Sequence, residues 1–438
     1  MSKKPITINR LTAGDFPPAV RPFWENVPKD PDIRLALTLN AIVCYCGLAP
    51  RLRVKYVYDM ELSMLLLNLL CIGPSGRGKK VFNWCTKMLM SKLILKDQEE
   101  RRVLREYNEE KRRKSANKEA NPEPIISISF LQKFTLPVAV KYCDLTYRKY
   151  GDWMPFFLYG DELASFTENR KGNGEFQAVA RTAYSLGETY CRDTLYQDGY
   201  NACVDLCWNS VLVGQEPALE KYINKDGILL GDAGRQILVK LKDGLGEDAT
   251  TILPLTAEQQ RHIHAATSML MAETYTEDNQ LKPIHVVDMN WLESDVRRWC
   301  SQVREEVLKN GSRAMDSFYV RASLSSFRIS TLLYHLWDED PSKQKQVRRC
   351  YYHFAQMILD NAMAQWGQLY ESLLPKDKEA TVKQPTLYDQ MPKRFSRDQL
   401  HEMVIKLELG TPARIFIFKW LKKKWIYEAE SGVYEKVY

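Results

Sequence analysis

No apolar run in this 438-residue sequence is long enough to cross a bilayer. The longest, Met64 to Ile72, is interrupted by Asn68 and falls far short of the ~20 residues a spanning helix needs. The opening segment, MSKKPITINRLTAGDF, lacks the apolar core of a secretory leader. These absences predict a cytoplasmic chain without membrane contact. Zinc spacing is missing too. Among ten cysteines the close pairs are Cys44/Cys46 and Cys203/Cys207, and neither has a second Cys/His pair at a suitable distance. Histidine is scarce, at six residues, and His262-x-His264 has no third ligand in view. The expectation is therefore a set of reduced, mostly buried thiols. Extreme charge is absent as well: a net +7 permits contact with nucleic acid without requiring it.

What is present is organised in blocks. Residues 1–55 begin polar and become apolar through Ile33–Val43, which predicts a buried helix against the next domain. Residues 61–72 (ELSMLLLNLLCI) are apolar with little alternation, as a strand covered on both faces would be. Residues 97–120 carry charges of both signs three or four apart and predict a solvated helix ended by Pro122 and Pro124. Further strands are expected at Ile125–Ser129, Met154–Gly160, Trp208–Gln215 and Ile237–Leu241. Strands separated by helix-length segments predict an α/β domain with a largely parallel sheet over 56–255. From there the pattern turns to long helices at 289–309, 313–338 and 342–373, an all-helical domain over 256–374. Residues 375–392 read as a linker. Residues 393–438 follow a helix, helix, hairpin order, with Ser396 as N-cap and Pro412 at the start of the second helix, the pattern of a winged helix.

Between the 61–72 run and an amphipathic stretch starting at Val81 lies Gly73-Pro74-Ser75-Gly76-Arg77-Gly78-Lys79-Lys80. This satisfies G-x-x-x-x-G-K, the pattern of a P-loop. Glycines let successive backbone N–H groups turn inward around an anion, and the following helix offers its positive end. Lys79 would reach the terminal phosphates of ATP. Lys80 stands where Ser or Thr normally supplies a hydroxyl to Mg²⁺, and an ammonium coordinates no metal. Binding therefore does not carry hydrolysis with it.

Asp161-Glu162 follows an apolar strand, where an acid holds Mg²⁺ and its neighbour polarises the attacking water. Gln215, ending the next strand candidate, is placed to orient a phosphate or water, although strand-end turns use glutamine as well. Arg235, before the last strand, is placed to neutralise charge on its own or a neighbouring subunit's nucleotide; a surface ion pair is the other reading.

Together these pieces resemble the helicase-like P-loop family of unknown function found with primases of phages, plasmids and conjugative elements. GPSGRGKK, FFLYGDELASF, the Leu186–Arg192 segment, VLVGQEPALEKYI, GDAGRQILVKL and the FSRDQLHE…ARIFIFKWLKKKWIYE tail carry the likeness. The resemblance implies an ATPase domain, an all-helical domain and a terminal winged helix, acting in replication or mobilisation of a mobile element with partner proteins of that process.

The tail is locally basic: from Pro392 to Tyr438, ten Lys/Arg face six Asp/Glu. Arg414, Lys419, Lys422, Lys423 and Lys424 lie on or after the second helix, where DNA phosphates would meet them. Ile415, Phe416, Ile417, Phe418, Trp420 and Leu421 are expected to supply more than one buried face. A protein-docking domain is the other reading. For the whole chain, a DNA-associated ATPase, with a homo-oligomeric ring as one form of it, competes with a non-hydrolysing adaptor that holds DNA by its tail. A purely structural protein would require the glycine loop to be accidental.

Overall fold

The computed structural model describes residues 10–113, 122–132, 134–166, 179–184, 189–192, 201–243, 251–374, 387–407, 412–422 and 425–437. The chain divides after Leu374 into two compact units.

The first unit is built on a five-stranded, all-parallel sheet. Its strands run in the order Phe130–Leu131, Phe156–Gly160, Trp208–Gly214, Asn68–Ile72, Ile237–Lys240. Each of the three middle strands is buried at every position, which explains their unbroken apolar sequence. Register is fixed by pairs such as Leu70 with Leu212 and with Leu238. Pro31–Leu48 is the buried helix expected from the sequence. Asp30 caps it through bonds from the Asp32 and Ile33 amides, and Pro31 occupies its first position. It packs on the sheet and on the Lys80–Leu89 helix.

Two strand expectations need correction. Residues 61–72 are not one strand. Leu62–Met64 pairs antiparallel with Leu52–Lys55 in a separate small sheet, and a turn from Leu66 N–H to Met64 C=O breaks the run. The Asn209 side-chain oxygen takes the Leu67 N–H, so ladder pairing starts at Asn68. Residues 125–129 are irregular and only Phe130–Leu131 joins the sheet. The cause is Asp97, whose carboxylate accepts the N–H groups of Ser129 and Phe130.

The charged segment forms the helix Ser91–Arg113, with Arg102 paired to Glu99 and Glu106 on its surface. Beyond the sheet stand Ala257–Thr274, Glu293–Asn310, Arg313–His335 and Gln344–Ala362; the last continues through a π turn at Met363–Gly367 into Gln368–Leu373. The 257–274 helix escaped the sequence reading, although Thr256 and Gln259 form a capping box that marks its start. One hydrophobic core runs from Leu11 to Trp366, so these helices and the sheet are a single body. Fully buried Arg328 ties them together, donating to the carbonyls of Leu66 and Tyr184 at 2.9 and 3.3 Å.

Eight cysteines are free and buried, as expected. Cys191 and Cys203 are not reduced: they face each other across the antiparallel pair Tyr190–Arg192 and Ala202–Val204 and form a disulfide. No described helix is long and apolar enough to cross a membrane.

The second unit carries helices Arg397–Lys406 and Ala413–Lys422 and an antiparallel sheet in the order Arg394–Ser396, Val433–Lys436, Ile426–Glu430. Ser396 caps the first helix in a reciprocal box with Gln399. Pro412 lies just ahead of the second, and Thr411 is outside the described residues. Leu387 and Met391, expected in a linker, are buried with Phe395 and Trp420 in this unit's core.

Candidate functional site

The loop after Ile72 is built from glycines that serve different ends. Gly76 and Gly78 have φ of 87° and 68°, the left-handed region that costs other residues roughly 1–2 kcal/mol. Gly73 is needed for space, since a Cβ there would stand 2.8 Å from Leu241 Cβ. The Lys80–Leu89 helix starts directly after the loop and aims its N-terminus back at it. The Lys79 ammonium donates to the carbonyls of Gly73 at 2.8 Å and Gly214 at 3.1 Å. Burial pulls its pKa down and the nearby Glu162 carboxylate opposes that shift.

Arg77 plays another part. Its guanidinium donates to Asp30 at 2.9 Å, with both side chains about nine-tenths buried. Asp30 thus caps one helix and anchors the loop at the same time. Ser75 and Lys80 are exposed, and Lys80 is the first residue of its helix.

Because all five strands are parallel, their carboxyl ends share one edge. The chain leaves Asn68–Ile72 for the Phe130–Leu131 side and leaves Trp208–Gly214 for Ile237–Lys240 on the other side. These two adjacent strands therefore flank the topological switch point, the crevice where open parallel sheets bind ligands. Lys79 bridges the ends of both. Gln215 ends the Trp208–Gly214 strand, and Asp161-Glu162 ends the next strand out; all three side chains are exposed at this edge. No bond from the Gln215 side chain caps the helix that follows it.

Arg235 is elsewhere. It precedes its strand, and the pairing of Leu69 with Ile237 puts it level with Leu67. That is roughly 20 Å from Gly73 at ~3.3 Å per residue. There it donates to the Gly231 carbonyl at 3.0 Å. The structure does not bring it to the loop of its own chain.

No protein-family model matches this chain, and no curated protein matches it. The geometry must carry the reading.

Three neighbouring strands end on glycine: Ile72-Gly73, Tyr159-Gly160 and Val213-Gly214. Cβ atoms at Gly160 and Gly214 would collide with Phe166 at 2.4 Å and Leu163 at 2.5 Å, because the Leu163–Phe166 turn lies across both strand ends. This repeated apolar–glycine ending, followed by a polar residue in the last two, is visible in the sequence and marks the edge.

Beside Asp161 opens a cavity of about 570 Å³, lined among others by Asp97, Arg101, Gln132, Tyr159 and Ser165. Sequence reading missed Asp97. Burial raises its pKa to about 6, against the lowering effect of the Phe130 and Ser129 amides. An acid whose folded pKa exceeds its unfolded value of ~3.9 stabilises the fold fully below that value, and the contribution is lost as pH rises through about 6. Two pH units correspond to roughly 3 kcal/mol. Asp97→Asn is expected to flatten this part of the stability profile, read from urea midpoints at about pH 4 and pH 7.

In the second unit, Arg414, Lys419 and Lys422 are exposed on one helix; Lys423 and Lys424 lie outside the described residues. That helix buries one face only, through Ala413, Ile417 and Trp420. Ile415, Phe418 and Leu421 are exposed, Phe418 at 67 %, so the expected second buried face is instead a mixed basic and apolar surface. The hairpin beside it carries exposed Glu428 and Glu430 and half-buried Glu435, with Glu430 paired to Arg394.

Proposed function

We infer that the chain binds a nucleoside triphosphate at the 73–80 loop and works as a helicase-like ATPase on DNA in replication or mobilisation of a mobile element. One observation carries this reading: Lys79 bridges the carbonyls of Gly73 and Gly214 at the switch point, with Glu162 close enough to act on its charge. A phosphate chain would take the backbone N–H groups of Gly76–Lys80 and the Lys79 ammonium. These residues fit such a ligand. Mg²⁺ would find Asp161, and Lys80 supplies no oxygen to it. Glu162, on the same strand end, is the group placed to accept a proton from water, and Gln215 is the neutral side chain available to orient it. Arg235 enters this scheme only at the site of a second subunit.

The C-terminal unit has the element order of a winged helix, and its basic helix supports DNA phosphate binding. With acids on the hairpin, the contacts would come from Arg414, Lys419 and Lys422 rather than from the wing.

Lys80 favours a second reading, a nucleotide-gated adaptor that does not hydrolyse. Steady-state ATP turnover with and without DNA separates the two. The ATPase reading expects DNA-stimulated turnover, lost in Glu162→Gln, with the stimulation alone lost in a Lys419→Glu/Lys422→Glu pair. An inert parent that still binds ATP, and gains turnover in Lys80→Thr, would establish the adaptor instead.

A further inference from the structure

His285, His335 and Glu339 come from separate elements and converge at one point, with one potential ligand atom of each within 4.8 Å of the others. His285 lies on a short strand paired in parallel with Leu52–Lys55. His335 is the last residue of the Arg313–His335 helix, whose carboxyl end favours a cation. Glu339 sits in the turn beyond that helix. There Asp338 and Glu339 both adopt left-handed φ, 52° and 56°, and their amides return to the carbonyls of His335 and Tyr334. This strained turn folds the Glu339 carboxylate back over the helix end.

The hydrogen-bond arithmetic leaves a charge to be supplied. His335 is more than nine-tenths buried, with Nδ1 3.0 Å from Glu339 Oε1 and Nε2 2.8 Å from Glu273 Oε2. His285 Nε2 approaches the same Glu339 oxygen at 2.5 Å. A neutral imidazole has one N–H and can serve only one carboxylate. The other nitrogen of His335 then presents a lone pair to a carboxylate oxygen. Among the described residues no lysine or arginine forms an ion pair with Glu273 or Glu339.

We propose that His285 Nε2, His335 Nδ1 and a Glu339 oxygen bind a divalent ion of the zinc class, with Glu273 holding His335 in place through its Nε2–H. Two imidazoles and a carboxylate are the donors such an ion selects. The outer Glu273 is the carboxylate–histidine arrangement that fixes tautomer and ring orientation around a metal. Bonds of ~2.0–2.1 Å separate tetrahedral ligands by roughly 3.3 Å, so the Glu339 oxygen would draw back by roughly 0.3 Å from His335 Nδ1 and roughly 0.8 Å from His285 Nε2. His285 is half exposed, which leaves the fourth position to water. The ion would clasp the His285 strand to the end of the helix.

The test is titration of ZnCl₂ into the tag-free, full-length chain in excess Mg²⁺, followed by calorimetry, with Co²⁺ absorption as a second readout of tetrahedral nitrogen and oxygen ligation. One equivalent is expected. His285→Ala and Glu339→Gln should each weaken binding at least ~10-fold, and Glu273→Gln by about 10-fold. The surface pair His262→Ala/His264→Ala, and Asp161→Ala at the sheet edge, should leave binding unchanged. His285 and Glu339 are exposed enough that these variants should fold, which far-UV circular dichroism verifies. Absence of zinc uptake, or uptake unchanged in His285→Ala, overturns the proposal and leaves a protonated histidine as the missing charge.

Discussion

Lys79→Ala is expected to lower ATP affinity by at least about 30-fold while moving the thermal midpoint by no more than about 3 °C. The two halves of this expectation have different sources. In the protein alone the ammonium is held by two main-chain carbonyls, and Gly214 C=O keeps a second donor in the Gly73 amide. Losing two such hydrogen bonds from a partly buried ammonium costs about 1–2 kcal/mol, a small shift in the melting point of a body this large. With a triphosphate present, the same ammonium would face several anionic oxygens in a crevice that excludes part of the water. Truncating one partner of such a pair costs about 2–5 kcal/mol. Equilibrium titration with a fluorescent ATP analogue measures the first half and a thermal melt the second. Affinity within threefold of the parent would remove the loop from the nucleotide reading. A collapse of the melt would instead make Lys79 a structural residue.

The second large effect belongs to Asp30, which belongs to no motif. Asp30→Ala should destabilise the first unit by about 4 kcal/mol. Its carboxylate caps the Pro31–Leu48 helix, worth about 1 kcal/mol. It also faces the Arg77 guanidinium at 2.9 Å with little water around either group. Removing one member of a buried pair typically costs about 3–5 kcal/mol, because the remaining charge stays desolvated. Adding Arg77→Met should recover about half of that loss, since the charge leaves with its partner. Urea unfolding followed by tryptophan emission gives both numbers. A single-variant cost below about 1 kcal/mol would show that the loop is anchored by something other than this pair.

How much of this was legible depends on the range of the cause. The apolar strands Phe156–Gly160, Trp208–Gly214 and Ile237–Lys240, the glycine loop and the Pro31–Leu48 helix are written locally, and they appear where the sequence puts them. Asp97 taking the amides of Ser129 and Phe130 is a contact across more than thirty residues, and no periodicity announces it. The same holds for Asn209, whose side chain ends what reads as one long strand. The histidine–glutamate cluster gathers residues from separate segments, so no spacing rule finds it. Arg235 differs. Its place before a strand, in a parallel sheet, already puts it at the edge away from the loop; direction along the strand was the neglected signal.

The glycine endings of three adjacent strands carry a consequence of another kind. Where Leu163, Phe166 and Leu241 press against Cα atoms, no side chain can be inserted, so neighbouring elements close directly over the strand ends. Sequence around these points can vary as long as the packing partners keep their volume. At the glycines themselves a single added methyl group would push those partners away and carry the strand-end carbonyls that hold Lys79 out of register.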